Sequence, residues 1–159
     1  TFDELPDCTC QVQWLAMGNA EHSIFVPSFC GITDTYEKYQ LDDTESRKVN
    51  DGFYYICKQI GGLAETDREY LSQGVKDYNL KQEKYMLKKI QEEIPEIIKR
   101  YKWFKFMGDS YVTKLSKEIA ADQYSKACDM LDYLSYIQIQ NMNDYADNED
   151  KVHFKMPKQ

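Results

Sequence analysis

The chain has 159 residues, with 27 acidic against 20 basic side chains and a formal net charge of −7. That length suits one domain, 1–159, whose core needs neither disulfides nor a structural metal, and an acidic balance with one short basic run, Lys99 to Lys105, argues against nucleic-acid binding. No stretch nears the roughly 18 apolar residues that span a bilayer, and an aromatic content of 14% is too rich for a disordered chain, so a soluble, non-membrane, folded protein is expected.

Taken in chain order, residues 8–30 read as a strand pair. Cys10, Val12 and Trp14 alternate with Thr9, Gln11 and Gln13, the period of a half-buried strand. A second β-prone run, Ser23 to Pro27, follows a turn signal at Gly18-Asn19. Two strands alone are marginal in water, so this hairpin must join a larger sheet or lie on helices. Its exposed edges also allow pairing with a second copy, as a homo-oligomer.

Residues 46–145 read as a helical layer. Asp34 and Glu37 have capping-box spacing ahead of a short turn at Tyr36 to Tyr39. Ser46 is placed to cap a helix that reaches Ile60 and stops at Gly61-Gly62. Thr66 with Glu69 then opens a longer helix whose stripe is Leu71, Val75, Tyr78, Gln82 and Tyr85, continued by Met86, Ile90, Ile94, Ile97 and Ile98. Pro95 is expected to kink or interrupt it. Asp109 or Ser110 caps a last helix with the stripe Val112, Leu115, Ile119, Tyr124, Ala127, Leu131, Leu134 and Ile137. Two long striped helices with a short connection form an antiparallel pair. The predicted class is α+β, mainly helical: a hairpin, a short helix, then long antiparallel helices.

The chemistry-bearing residues are sparse. Five cysteines form no disulfide framework, and Cys8 and Cys10 are too close for a normal bridge, so reduced thiols and a cytoplasmic setting are expected, with export as the alternative. A single C-x-C with only His22 and His153 does not supply a zinc set, and no phosphate loop or hydrolase elbow is present. The expectation is no metal and no cofactor. Among thiol–imidazole pairs, His22 with Cys30 is the nearest in sequence. Adjacent carboxylates such as Glu92-Glu93 read as solvated faces.

The run Gln13-Trp14-Leu15-Ala16-Met17-Gly18-Asn19-Ala20-Glu21-His22-Ser23-Ile24-Phe25-Val26-Pro27, then Gly31-Ile32-Thr33-Asp34-Thr35 and Tyr39, resembles the C-terminal part of the bacterial dipeptidase A and secernin family. These are cysteine peptidases of the N-terminal-nucleophile hydrolase class. The resemblance implies a four-layer αββα fold and a cysteine freed by autoproteolysis, whose thiol attacks the peptide carbonyl with its own α-amine as base. In that family the nucleophile lies far upstream of the Trp14 motif, so no cysteine of this sequence receives the catalytic role. Thr1 is a conceivable N-terminal nucleophile, but the polar leader Phe2 to Asp7 is unlike a core strand.

The expectation is therefore a C-terminal structural segment of a dipeptidase that partners the upstream catalytic part and its dipeptide substrate. Gly18, Asn19, Thr33 and Asp34 are the candidates for substrate contact, their plainer roles being a tight turn and a helix cap. A stand-alone acidic helical interaction module is the rival reading.

Overall fold

Residues 12–40 and 51–144 are described by the structure, a computed structural model. Two strands, β1 (Val12–Ala16) and β2 (Phe25–Phe29), pair antiparallel with Val12 opposite Phe29, Trp14 opposite Pro27 and Ala16 opposite Phe25. Among the described residues the sheet has these two strands, and it solves its marginal stability by lying on helices. Val26 and Phe29 are buried, while Val12 and Trp14 pack on the same core. The predicted residues Cys8 to Gln11 fall outside the described residues.

The helices are α1 (Phe53–Ala64), α2 (Gln73–Trp103) and α3 (Lys105–Asp144), preceded by a short 3₁₀ turn at Glu37–Tyr39. Helices α2 and α3 run antiparallel: Tyr101 pairs with Asp109, Glu93 with Tyr111 and Gln82 with Lys126. The predicted stripe residues Val75, Tyr78, Gln82, Met86, Ile90 and Ile97 of α2 meet Val112, Leu115, Ile119, Leu134 and Ile137 of α3 in one core. Rings of Tyr36, Tyr39, Phe53 and Tyr124 interlock edge-on or stacked, with centroids 5.6 to 5.9 Å apart, and tie the 3₁₀ turn to α1 and α3. The mainly helical α+β layout is as the sequence predicts.

Several helix ends differ from the sequence expectation. Gly61-Gly62 does not stop α1, which continues to the fully buried Ala64; the helix tolerates a cost of roughly 1 kcal/mol per glycine because Ala64 and Gly61 pack inward. Thr66 caps nothing ahead of it. Its hydroxyl donates back to the Leu63 carbonyl at 2.6 Å, and Asp67 is the cap, accepting from the Tyr70 amide at 3.2 Å. A π-helical turn, Arg68–Ser72, then leads into α2. That helix runs through Pro95 to Trp103. Helix α3 begins at Lys105, ahead of Asp109, whose carboxylate instead accepts the Tyr101 hydroxyl at 2.7 Å. Asp34 forms no capping box, since its Oδ1 accepts from the Thr35 amide. Tyr85 is half-exposed, with the Lys126 ammonium 4.4 Å from its ring centre. Ser46 lies outside the described residues.

Candidate functional site

The connection between β1 and β2 is built around Gly18, whose φ of +132° suits glycine alone. A Cβ there would sit 3.2 Å from Ser23 Oγ and 3.5 Å from the Cys57 Cβ, so the bare backbone is also what lets this loop close onto α1. The Asn19 carbonyl accepts from the amides of His22 and Ser23, and its side-chain oxygen accepts from the Glu21 amide. This folded loop turns His22 inward and leaves Asn19 at the surface.

His22 is 1% exposed. Its Nε2 lies 2.8 Å from Ser72 Oγ, and its Nδ1, which has no hydrogen-bond partner, faces Glu65 Oε1 at 3.7 Å. Asn79 donates to the His22 carbonyl at 2.9 Å. Above the ring, Glu21 accepts from Lys76 at 2.6 Å and Arg68 at 2.9 Å, and Arg68 also reaches Glu65. The Lys76 hydrogen bond, foremost, holds the Glu21 carboxyl below its ordinary value. Among the described residues Glu21, His22 and Glu65 bring potential metal ligands within 4.8 Å of one another. Arg68 and Lys76 already balance the two carboxylates, which makes this an ion-pair network around a buried imidazole.

The His22–Cys30 pairing expected as one alternative is not what the ring's neighbours provide, since Ser72 and Glu65 stand at its two nitrogens. The thiol that shares its small cavity of about 10 Å³ is Cys57. Burial pushes that thiol up to about 12, the opposite of an activated nucleophile. Burial likewise raises the Cys128 thiol, and Cys30 is exposed in the turn after β2. Thr1 lies outside the described residues.

The four candidate contact residues occupy two separate places. Gly18 and Asn19 border a groove of about 640 Å³ whose other side is one face of α1: Tyr54, Lys58, Gly61, Gly62 and Glu65. Asp34 borders a different groove of about 540 Å³ along α3. There its Oδ2 accepts from Lys117 at 2.6 Å, and the neighbouring Thr33 amide donates to Thr113 Oγ1 at 3.0 Å. Those bonds fasten the loop to α3.

The family model for peptidase family C69 matches residues 2–81, half of the chain. The chain belongs to peptidase family C69. No curated protein and no solved structure matches it. The C69 match takes in the hairpin, the Thr33-Asp34 loop, α1 and the opening turns of α2, and with them every residue of the 640 Å³ groove. The rest of α2 and all of α3 lie outside it. None of the described helices of this C69 chain is long and apolar enough to cross a membrane.

Two features, one of the groove and one of the buried imidazole beside it, are not legible in the sequence alone. Lys58 and Glu65 stand two helical turns apart with Gly61-Gly62 between them, a spacing that is legible once the glycines are read as helix interior. The Ser72 partner of His22 carries no such signal, being 50 residues away.

Proposed function

We propose that this C69 chain is the C-terminal structural segment of a dipeptidase whose N-terminal cysteine nucleophile lies upstream. The family match over residues 2–81 is the observation that carries the reading. Two of the described thiols agree with it: Cys57 is buried and hard to ionise, and Cys128 is shifted the same way. A scaffold segment has no need of an activated thiol. The segment would present its hairpin and the face of α1 to the catalytic part, with α2 and α3 behind them as a helical layer.

Mixing the chain with an upstream fragment that begins at the processed cysteine tests this. Each piece alone should leave a dipeptide intact, and the mixture should hydrolyse it. An upstream fragment that is fully active without this chain would overturn the scaffold role.

One observation favours a second reading, an acidic helical interaction module. At the α2–α3 connection Trp103, Phe104 and Phe106 are 69%, 60% and 69% exposed, more apolar surface than a helical hairpin tip needs. Under this reading those rings bind a partner protein and no upstream fragment restores hydrolysis.

A further inference from the structure

The turn between α2 and α3 exposes five residues in a row, Lys102-Trp103-Phe104-Lys105-Phe106, and three of them are aromatic. Phe104 stands in extended backbone between the two helices, at φ −153° and ψ 138°. Its amide donates to the Arg100 carbonyl at 3.2 Å, and its own carbonyl accepts from the amides of Met107 and Gly108 at 3.0 and 3.3 Å. A turn that pairs these backbone groups internally can leave water without the penalty of orphaned amides. The turn is also fixed from below. Tyr101 fills the space where a Cβ on Gly31 or Gly108 would stand, and its hydroxyl is held by Asp109. Above that base the rings of Phe104 and Phe106 stack on each other, 5.9 Å between centroids, while Trp103 and Phe106 each remain 69% exposed.

Charge sets this tip apart from the rest of the molecule. The chain carries −7 overall, yet no acidic residue lies between Glu96 and Asp109, a stretch that holds Lys99, Arg100, Lys102 and Lys105. Glu96 accepts from Lys99 at 3.3 Å and from Arg100 at 2.6 Å, and Lys105 stands 3.8 Å from Asp109. Among the described residues Lys102 has no ion pair. The cations outnumber the carboxylates, so the tip is net positive. Because charges in water are screened beyond about 8 Å at physiological salt, the tip meets an anionic surface with its own charge, and the acidic body is held back from it. Exposed aromatic rings interleaved with lysines are the equipment of an interfacial anchor: rings settle at the headgroup level, and ammonium groups on their long stems reach lipid phosphates. A protein partner fits the same surface less well. Side chains of this kind present roughly 150–250 Å² each, so three rings at these exposures offer on the order of 400 Å², about half of what a stable protein interface takes from each partner.

We infer that the α2–α3 tip docks on an anionic membrane surface, with Trp103, Phe104 and Phe106 in the interfacial layer and Lys102 and Lys105 on lipid phosphates. The expectation of a non-membrane protein rested on the lack of a spanning run, and a tip that lies on the surface needs none. The site is independent of the dipeptidase reading, since it lies outside the family match over residues 2–81.

Sedimentation of the full chain with phosphatidylcholine vesicles, with and without roughly 30% phosphatidylserine, tests the inference. Binding should be at least tenfold tighter to the vesicles that contain phosphatidylserine and should weaken as salt is added. Replacing all three rings, by Trp103→Ser, Phe104→Ser and Phe106→Ser together, should weaken it at least tenfold. Lys102→Gln with Lys105→Gln should weaken it at least fivefold. These side chains stand in water, so both variants should melt like the parent chain. Bromine on the lipid acyl chains should quench Trp103 emission, and Trp103→Phe, which keeps a ring at the tip, should retain binding and remove that quenching. No binding to phosphatidylserine vesicles, equal binding to neutral ones, or binding that survives the ring substitutions would overturn the inference. So would an upstream fragment or another protein that shields Trp103 while vesicles leave it in water, which would make the tip a protein interface.

Discussion

Lys117, in the first third of α3, donates a 2.6 Å hydrogen bond to Asp34, in the loop after β2, and so joins positions 83 residues apart. That hydrogen bond, more than the Thr35 amide, holds the Asp34 carboxyl below its ordinary value. A carboxyl lowered in the folded state adds stability that is complete above its ordinary value and disappears as pH falls through the lowered one. Asp34 is exposed, so the effect is small and screened by salt. In Lys117→Met the Asp34 carboxyl should titrate higher than in the parent chain, followed by NMR of its side-chain carboxyl carbon. An unchanged titration would mean the pair is not formed in solution.

The cysteines should separate by reactivity. Cys57 is 1% exposed and its thiol is pushed up to about 12 by burial, while Cys30 is exposed. With iodoacetamide at pH 8 and peptide mapping by mass, Cys30 should be alkylated at least tenfold faster than Cys57, and denaturant should abolish the difference. Equal rates in the native protein would contradict the packing of α1 against the β1–β2 loop.

Glycines at positions 18 and 62 should respond in opposite directions to the same substitution. Gly18→Ala places a Cβ at φ +132° and 3.2 Å from Ser23 Oγ, and should cost roughly 1–2 kcal/mol. Gly62→Ala enters open space on a helix and should add about 0.5–1 kcal/mol. Urea unfolding midpoints of the two variants should therefore lie on either side of the parent chain.

Tyr101 is wedged where a Cβ on either Gly31 or Gly108 would strike it, and its hydroxyl donates to Asp109 at 2.7 Å. Tyr101→Phe keeps the ring and loses the hydrogen bond, at an expected cost of about 0.5–1.5 kcal/mol. Gly31→Ala should cost more, because the colliding hydroxyl is held in place. A thermal melt of both variants orders the two effects.

Much of the architecture follows from period. The alternation at Thr9 to Trp14 and the stripes Val75 to Ile97 and Val112 to Ile137 place apolar side chains on one face whatever the neighbours are, so strand, helices and their antiparallel pairing were legible from the chain alone. Resemblance carried by Trp14 to Pro27 and Gly31 to Thr35 likewise pointed to the family that the match over residues 2–81 shows. Helix ends were less legible. Thr66 and Asp67 compete for one cap within about 1 kcal/mol, and Gly61-Gly62 weighs about as much against a helix as the burial of Ala64 weighs for it. Only the packed structure decided those contests. It alone also brought Ser72 to His22, Lys117 to Asp34, and Asn19 across from Lys58 and Glu65, because contacts between elements depend on how faces meet in space, which no local spacing records.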